Sequence, residues 1–160
     1  MSQELLGQLA FSDFEKAQSK AFWRKWLAVF SHKPTHLLSF EELMKCRAIT
    51  GQRSLGTMTV AINHIVGSVG RAQDFDRNFL PRNENTLERW MKIDRAWRRG
   101  EFLPPVELYK IGAVYFVVDG NHRISVAHVQ GQEYIDAQIT EIDLPMTATL
   151  ETKIVQLCST

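Results

Sequence analysis

A β-rich apolar run, Val114-Tyr115-Phe116-Val117-Val118, leads through Asp119-Gly120-Asn121-His122-Arg123 into a helical run, Ile124 to Gln130, that stops at Gly131. A strand that turns through a glycine into a helix is a ready anion site. The first amides of the helix have no intrahelical acceptor, and the macrodipole adds positive potential there. Cations at that end oppose the dipole and are poor choices for stability alone. His122 and Arg123 stand there nonetheless, with a carboxylate and an amide beside them, and this placement points to a ligand.

The 160 residues suit one domain with a real core and a small appendage. Apolar residues at 44% and charged residues at 23% fit a globular chain and exclude a disordered one. A formal net charge of +1 argues neither for nor against nucleic acid as a partner of the whole protein. The apolar runs fall short of the roughly 20 residues that span a bilayer, so no membrane partner is expected. The first residues, Met1-Ser2-Gln3-Glu4-Leu5, lack the basic start and apolar core of a signal peptide. Cys46 and Cys158 lie far apart without metal-ligand spacing, and reduced thiols in a cytoplasm are the simplest reading.

Ser12-Asp13-Phe14-Glu15 has the form of a capping box and predicts a helix from there to about Phe30. Phe14, Ala17, Ala21 and Leu27 recur at helical spacing, with Lys16, Lys20, Arg24 and Lys25 on other faces. Ser39-Phe40-Glu41-Glu42 is a second box, opening a short helix through about Arg47. Residues 1–50 thus read as an N-terminal helical extension, and Gly51 to Gly56 as a link. Beyond it, Thr59 to Ile62 is strand-like, Gly67-Ser68-Val69-Gly70 reads as a flexible loop ending at Arg71, and Asn85 or Thr86 starts a helix that Gly100 stops. Leu87, Trp90, Met91 and Trp97 share one face of that helix. Strands are predicted over Val106–Lys110, Val114–Val118 and Tyr134–Ile142, while Leu150 to Leu157 reads as either strand or helix. The expected fold class is α+β, a small mixed sheet flanked by helices over residues 57–143, with 144–160 as a tail.

Pro105-Val106-Glu107-Leu108, then Tyr115 to Arg123, then Ala127 and Gly131, resemble the ParB/sulfiredoxin superfamily. The turn there reads Gly-Glu-Arg-Arg in ParB N-terminal domains, Gly-Cys-His-Arg in sulfiredoxin and Asp-Gly-His-His-Arg in a group of free-serine kinases. The closest likeness is to bacterial ParB-like proteins, and the segment Ile65 to Phe75, with Arg71, is similar to the ParB loop that carries a Pro-Arg pair. The resemblance implies nucleotide or phosphate binding. Asn121 stands where sulfiredoxin needs a thiolate, and an amide cannot attack a sulfinyl phosphate. ParB's DNA-binding domain has no counterpart in the few residues after Ile142. Kinase-like members place an acid in the loop after the first strand; here the nearest acids are Asp74 and Asp76.

The residues of the turn carry alternative readings. Arg123 either forks onto phosphate oxygens or pairs with Asp119 or Glu141. His122 either donates to phosphate and serves as an acid or base, or is a structural hydrogen-bonder. Asn121 holds a phosphate oxygen or the turn itself. Asp119 holds Mg²⁺, accepts a proton from an attacking hydroxyl, or caps the helix. Gly120 serves the backbone turn in every case. Ser68 and Arg71 belong to a glycine-containing loop that lacks the Gly-Lys-Ser/Thr ending of a P-loop. The function expected is binding of ATP, ADP or CTP with Mg²⁺, with phosphoryl transfer to a small hydroxyl compound or nucleotide hydrolysis. Two other readings stand beside it: a nucleotide-dependent switch of self-association as a homodimer, and a DNA- or RNA-binding module or nuclease, which the near-neutral charge disfavours.

Overall fold

The computed structural model describes residues 2–31, 37–45 and 47–145. Six strands, β1 (Leu38–Ser39), β2 (Gly51–Ala61), β3 (Ile65–Ser68), β4 (Val106–Ile111), β5 (Val114–Asp119) and β6 (Tyr134–Asp143), form one mixed sheet in the order β1-β3-β5-β4-β6-β2. Four α-helices accompany it: α1 (Gln3–Ser31), α2 (Phe40–Met44), α3 (Leu87–Arg98) and α4 (Asn121–Val129). The class is α+β. β4 and β5 form an antiparallel hairpin, β3 joins β5 in parallel, β6 joins β4 in parallel, and β2 closes the far edge antiparallel to β6.

Alternation along the strands places apolar side chains on both faces, as the pleat requires. On one face Ile65, Val106, Leu108, Val117, Ala137 and Ile139 pack with Ile124 and Ala127 of α4. On the other, Val66, Ile111, Val114, Phe116 and Ile142 pack with Phe40 of α2. Ser39 caps α2 as its box predicts, its Oγ accepting from Glu42 N at 3.2 Å, although the helix ends at Met44 and not near Arg47.

Behind α4 lies a layer formed by α3 and α1. The Trp90 ring meets Phe14 edge-on at 5.7 Å, and its Nε1 donates to Ser125 Oγ at 2.9 Å, with Trp90 and Ser125 both fully buried. Asp94, also buried, accepts from Arg98 Nε at 2.7 Å and Gln130 Nε2 at 2.6 Å, and Asp13 of α1 pairs with the same Arg98. Among the described residues no helix is long and apolar enough to cross a membrane.

Several expectations change. α1 starts at Gln3 and runs through Ser12, because Leu6, Ala10, Phe14, Ala17 and Ala21 form one continuous buried stripe. The hydroxyl at its start is that of Ser2, which accepts from Leu5 N at 3.3 Å. The segment Gly51–Gly56 is the first half of β2, paired with β6 from Gly51↔Asp143 onward. It is an edge strand with most residues exposed on both faces, so it carries no apolar alternation to announce it. The N-terminal segment contributes β1 as well as helices, and β1 lies parallel to β3. Gly67 and Ser68 are strand residues rather than a flexible loop. A Cβ on Gly67 would lie 2.5 Å from both the Leu38 carbonyl oxygen and the Phe116 ring, so glycine is there for close approach. Cys46, Cys158 and Leu150 to Leu157 lie outside the described residues.

Packing predicts which substitutions matter. Phe14→Ala should lower unfolding free energy by about 3–5 kcal/mol in urea denaturation, because it empties the contact that holds α1 on Trp90. Arg53→Ala, which removes a mostly exposed partner of Glu141, should leave the urea midpoint close to that of the wild type in the same assay, because water and salt screen a surface pair.

Candidate functional site

β5 ends at Asp119 and α4 begins at Asn121, so a single residue, Gly120, makes the reversal. Its φ of 108° is left-handed, and a Cβ there would sit 2.5 Å from Val106 Cγ1 of the neighbouring strand. Only glycine meets both demands. Gly120 is the N-cap residue of α4 and no side chain caps the helix. Asp119 is therefore not a cap. The helical ladder starts with Ile124 N on Gly120 O at 3.0 Å, which leaves the amides of Asn121, His122 and Arg123 outside it.

Asp119, Gly120, Asn121, His122 and Arg123 line one cleft of about 120 Å³. Arg71 reaches it from the loop after β3, and Arg89 and Ile93 reach it from α3. Ser68 is elsewhere: it is buried in β3, with its Oγ 3.4 Å from the carbonyl oxygens of Val69 and Val117. Neither acid of the loop lines the cleft. Asp74 pairs with Arg71 at 3.3 Å, and Asp76 Oδ1 accepts from the amides of Asn78 and Leu80 at 2.8 and 2.9 Å. Burial holds the Asp76 carboxyl above the usual range.

Arg123 takes the ion-pair arrangement. Its Nη2 pairs with Asp119 Oδ2 at the end of β5, and its Nη1 donates to the carbonyls of Pro104 at 2.6 Å and Pro105 at 2.9 Å. The guanidinium clips the start of α4 to the segment that enters β4. Glu141, the other acid considered for it, pairs with Lys110 and Arg53. Asn121 and His122 are both buried, yet Asn121 Oδ1 and His122 Nε2 have no hydrogen-bond partner among the described residues. An unpaired buried polar atom costs about 1–3 kcal/mol, and these two stand side by side at the positive end of α4. Phe75 holds the His122 ring edge-on, with centroids 5.3 Å apart.

Burial, together with the nearby Arg89 and Arg71 charges, lowers the His122 pKa from 6.5 to about 4; Asp74 and Asp119 oppose the shift. The imidazole is neutral near pH 7 and donates from one nitrogen only. Among the described residues no three His, Cys, Asp or Glu side chains form a metal-binding group. Mg²⁺ needs few protein ligands, commonly one or two carboxylates beside waters and phosphate oxygens. Asp119, whose side chain is 55% exposed, fits an ion that arrives with phosphates and does not form a cage by itself.

Sequence reasoning did not single out Arg89 as a site residue. The one local hint is its place next to buried Trp90 and one turn before Ile93, on the flank of the apolar face of α3. No protein-family model, no curated protein and no solved structure matches the chain.

The His122 shift has a definite sign. The folded pKa lies below the unfolded one, so the unfolded chain takes the proton first. The stability contribution is complete above about pH 6.5 and is lost as pH falls from there towards about 4. His128, also lowered by burial, acts in the same direction. In urea denaturation across this range, His122→Gln should remove up to roughly 3 kcal/mol of the acid-induced loss; an unchanged slope would show that His122 is not the group responsible.

Proposed function

We propose that the cleft at the start of α4 binds the phosphates of a nucleotide such as ATP, ADP or CTP. One observation carries this reading: an uncapped helix N-terminus whose first two residues are buried with unpartnered polar atoms, faced by two arginines from other elements. Free amides at a helix start, positive potential and guanidinium groups are what a phosphate requires. The resemblance to ParB-like proteins and free-serine kinases runs through the same turn and supports the same ligand class.

The size of the cleft sets how such a ligand sits. Whole small-molecule pockets measure roughly 300–1,000 Å³, so a space of about 120 Å³ takes the phosphate end and leaves sugar and base along the outer surface. Asn121 and the first amides of α4 hold phosphate oxygens, and neutral His122 donates one hydrogen bond. Arg71 adds charge from the loop after β3. Arg123 works at one remove, keeping the helix start and Asp119 in place. Asp119 offers its remaining oxygen to Mg²⁺, which when bound neutralises charge developing on the phosphates. That carboxylate is also the acid in the cleft that can accept a proton from an attacking hydroxyl, of a small alcohol or of water. Phosphoryl transfer to a small hydroxyl compound, or nucleotide hydrolysis, is the reaction this set supports, and a cytoplasmic setting supplies its ligands.

Calorimetric titration with ATP, ADP and CTP, each with Mg²⁺, should show binding of at least one. Arg71→Ala should weaken that binding by about tenfold, the worth of one charge-assisted hydrogen bond. Native protein that binds none of the three would sink the proposal.

A further inference from the structure

The cleft presents donors from three separate elements, and Arg89 is the one whose charge is left over. Asp119 and Arg123 neutralise each other, and Arg71 shares its charge with Asp74. Arg89 is exposed, lines the cleft from α3, and makes no ion pair with any described residue. α3 cannot swing away from α4, because the buried Trp90–Ser125 hydrogen bond, adjacent in sequence to Arg89, ties the two helices together. The guanidinium therefore emerges from a rigid element opposite the first turn of α4.

Count what such a cleft can satisfy. A terminal phosphate has three non-bridging oxygens and carries about −1.5 to −2 at pH 7. A phosphodiester has two such oxygens and a single charge. The cleft offers amides at the start of α4, a guanidinium from the loop after β3 and another from α3, which is one set of donors for each of three oxygens. Its positive charge is one free guanidinium, one shared guanidinium and about half a charge from the helix dipole. Both the number of donor sets and the charge match a terminal phosphate, with three oxygens and up to two charges, more closely than a diester, with two oxygens and one. Asn121 and His122, each about nineteen-twentieths buried with an unpartnered atom, supply the floor.

We propose that the site selects a terminal phosphate, the free end of a nucleotide, over an internal phosphodiester, and that Arg89 is the residue that sets this selectivity. The inference rests on the phosphate-binding reading above and names the ligand class more narrowly. It also separates the site from one that grips a nucleic-acid backbone, where every phosphate but the last is a diester.

The test compares AMP, ADP, CMP and CDP with the 3′,5′-cyclic monophosphates of adenosine and cytidine by calorimetry, with inorganic phosphate as a base-free probe. Wild-type protein should bind the best terminal-phosphate nucleotide about tenfold or more tightly than its cyclic counterpart, as one charge-assisted bond predicts. Arg89→Ala should abolish that ratio, Arg89→Lys should restore part of it, and the melting temperature of both should stay near wild type because Arg89 is exposed and unpaired. Inorganic phosphate should compete with the nucleotide; a phosphate that binds as tightly as the nucleotide would assign the site to the free ion. Equal affinity for terminal and cyclic phosphates, or an Arg89→Ala protein that keeps the ratio, overturns the inference while leaving nucleotide binding intact. If none of these ligands binds, nor ATP or CTP with Mg²⁺, the broader reading falls with it. A single-stranded oligonucleotide that binds equally well with and without a terminal phosphate would overturn the inference in favour of backbone recognition.

Discussion

The hydrogen bond from Trp90 Nε1 to Ser125 Oγ joins α3 to α4 in a place from which water is excluded. Breaking it would leave an indole N–H buried without an acceptor, so the two helices keep one relative position. Most of the site depends on that position. α4 brings Asn121 and His122 to the end of β5, and α3 brings Arg89 opposite them. Around the same contact, Phe14 packs edge-on against Trp90, and Asp13, Asp94, Arg98 and Gln130 tie α1, α3 and the end of α4 into one polar network.

Electrostatics at the turn divides the arginines by task. Arg123 lies nearest the helix start in sequence, but its donors meet Asp119 and two carbonyls, so it holds backbone in place. Arg71 is shared, and Arg89 makes no ion pair among the described residues. His122 lines the same cleft, and burial together with these two cations keeps its imidazole neutral. An anion entering the cleft would reverse part of that pressure and favour the imidazolium, since a nearby negative charge raises a histidine pKa.

Much of the fold was legible because it rests on local rules. The β-rich apolar residues of Val106–Lys110 and Val114–Val118 mark two strands, Gly100 ends α3, and Ser39 caps α2. The failures share a cause. Ser12 has the form of a cap, but a stripe from Leu6 to Ala21 buried against other helices carries α1 straight through it. Gly51 to Ala61 lacks a strand pattern because an exposed edge strand needs none; its pairing to β6 defines it. Ser68 looked like part of a phosphate loop because the parallel neighbours of β3, remote in sequence, are not visible from the local residues.

By itself, the sequence determined the strand, the glycine and the helix start of the proposed anion site, along with the residues Asp119 to Arg123 that stand there. Those features follow from short-range sterics: a positive φ, unpaired first amides and the alternation of a strand. Tertiary structure decided what each residue is free to do. It turned Arg123 inward as a clip, buried Asn121 and His122 without partners, removed Ser68 and supplied Arg89 from another helix. The reason is physical: whether a charge is spent or available depends on which partners lie within about 4 Å, and those partners come from parts of the chain that only folding brings together.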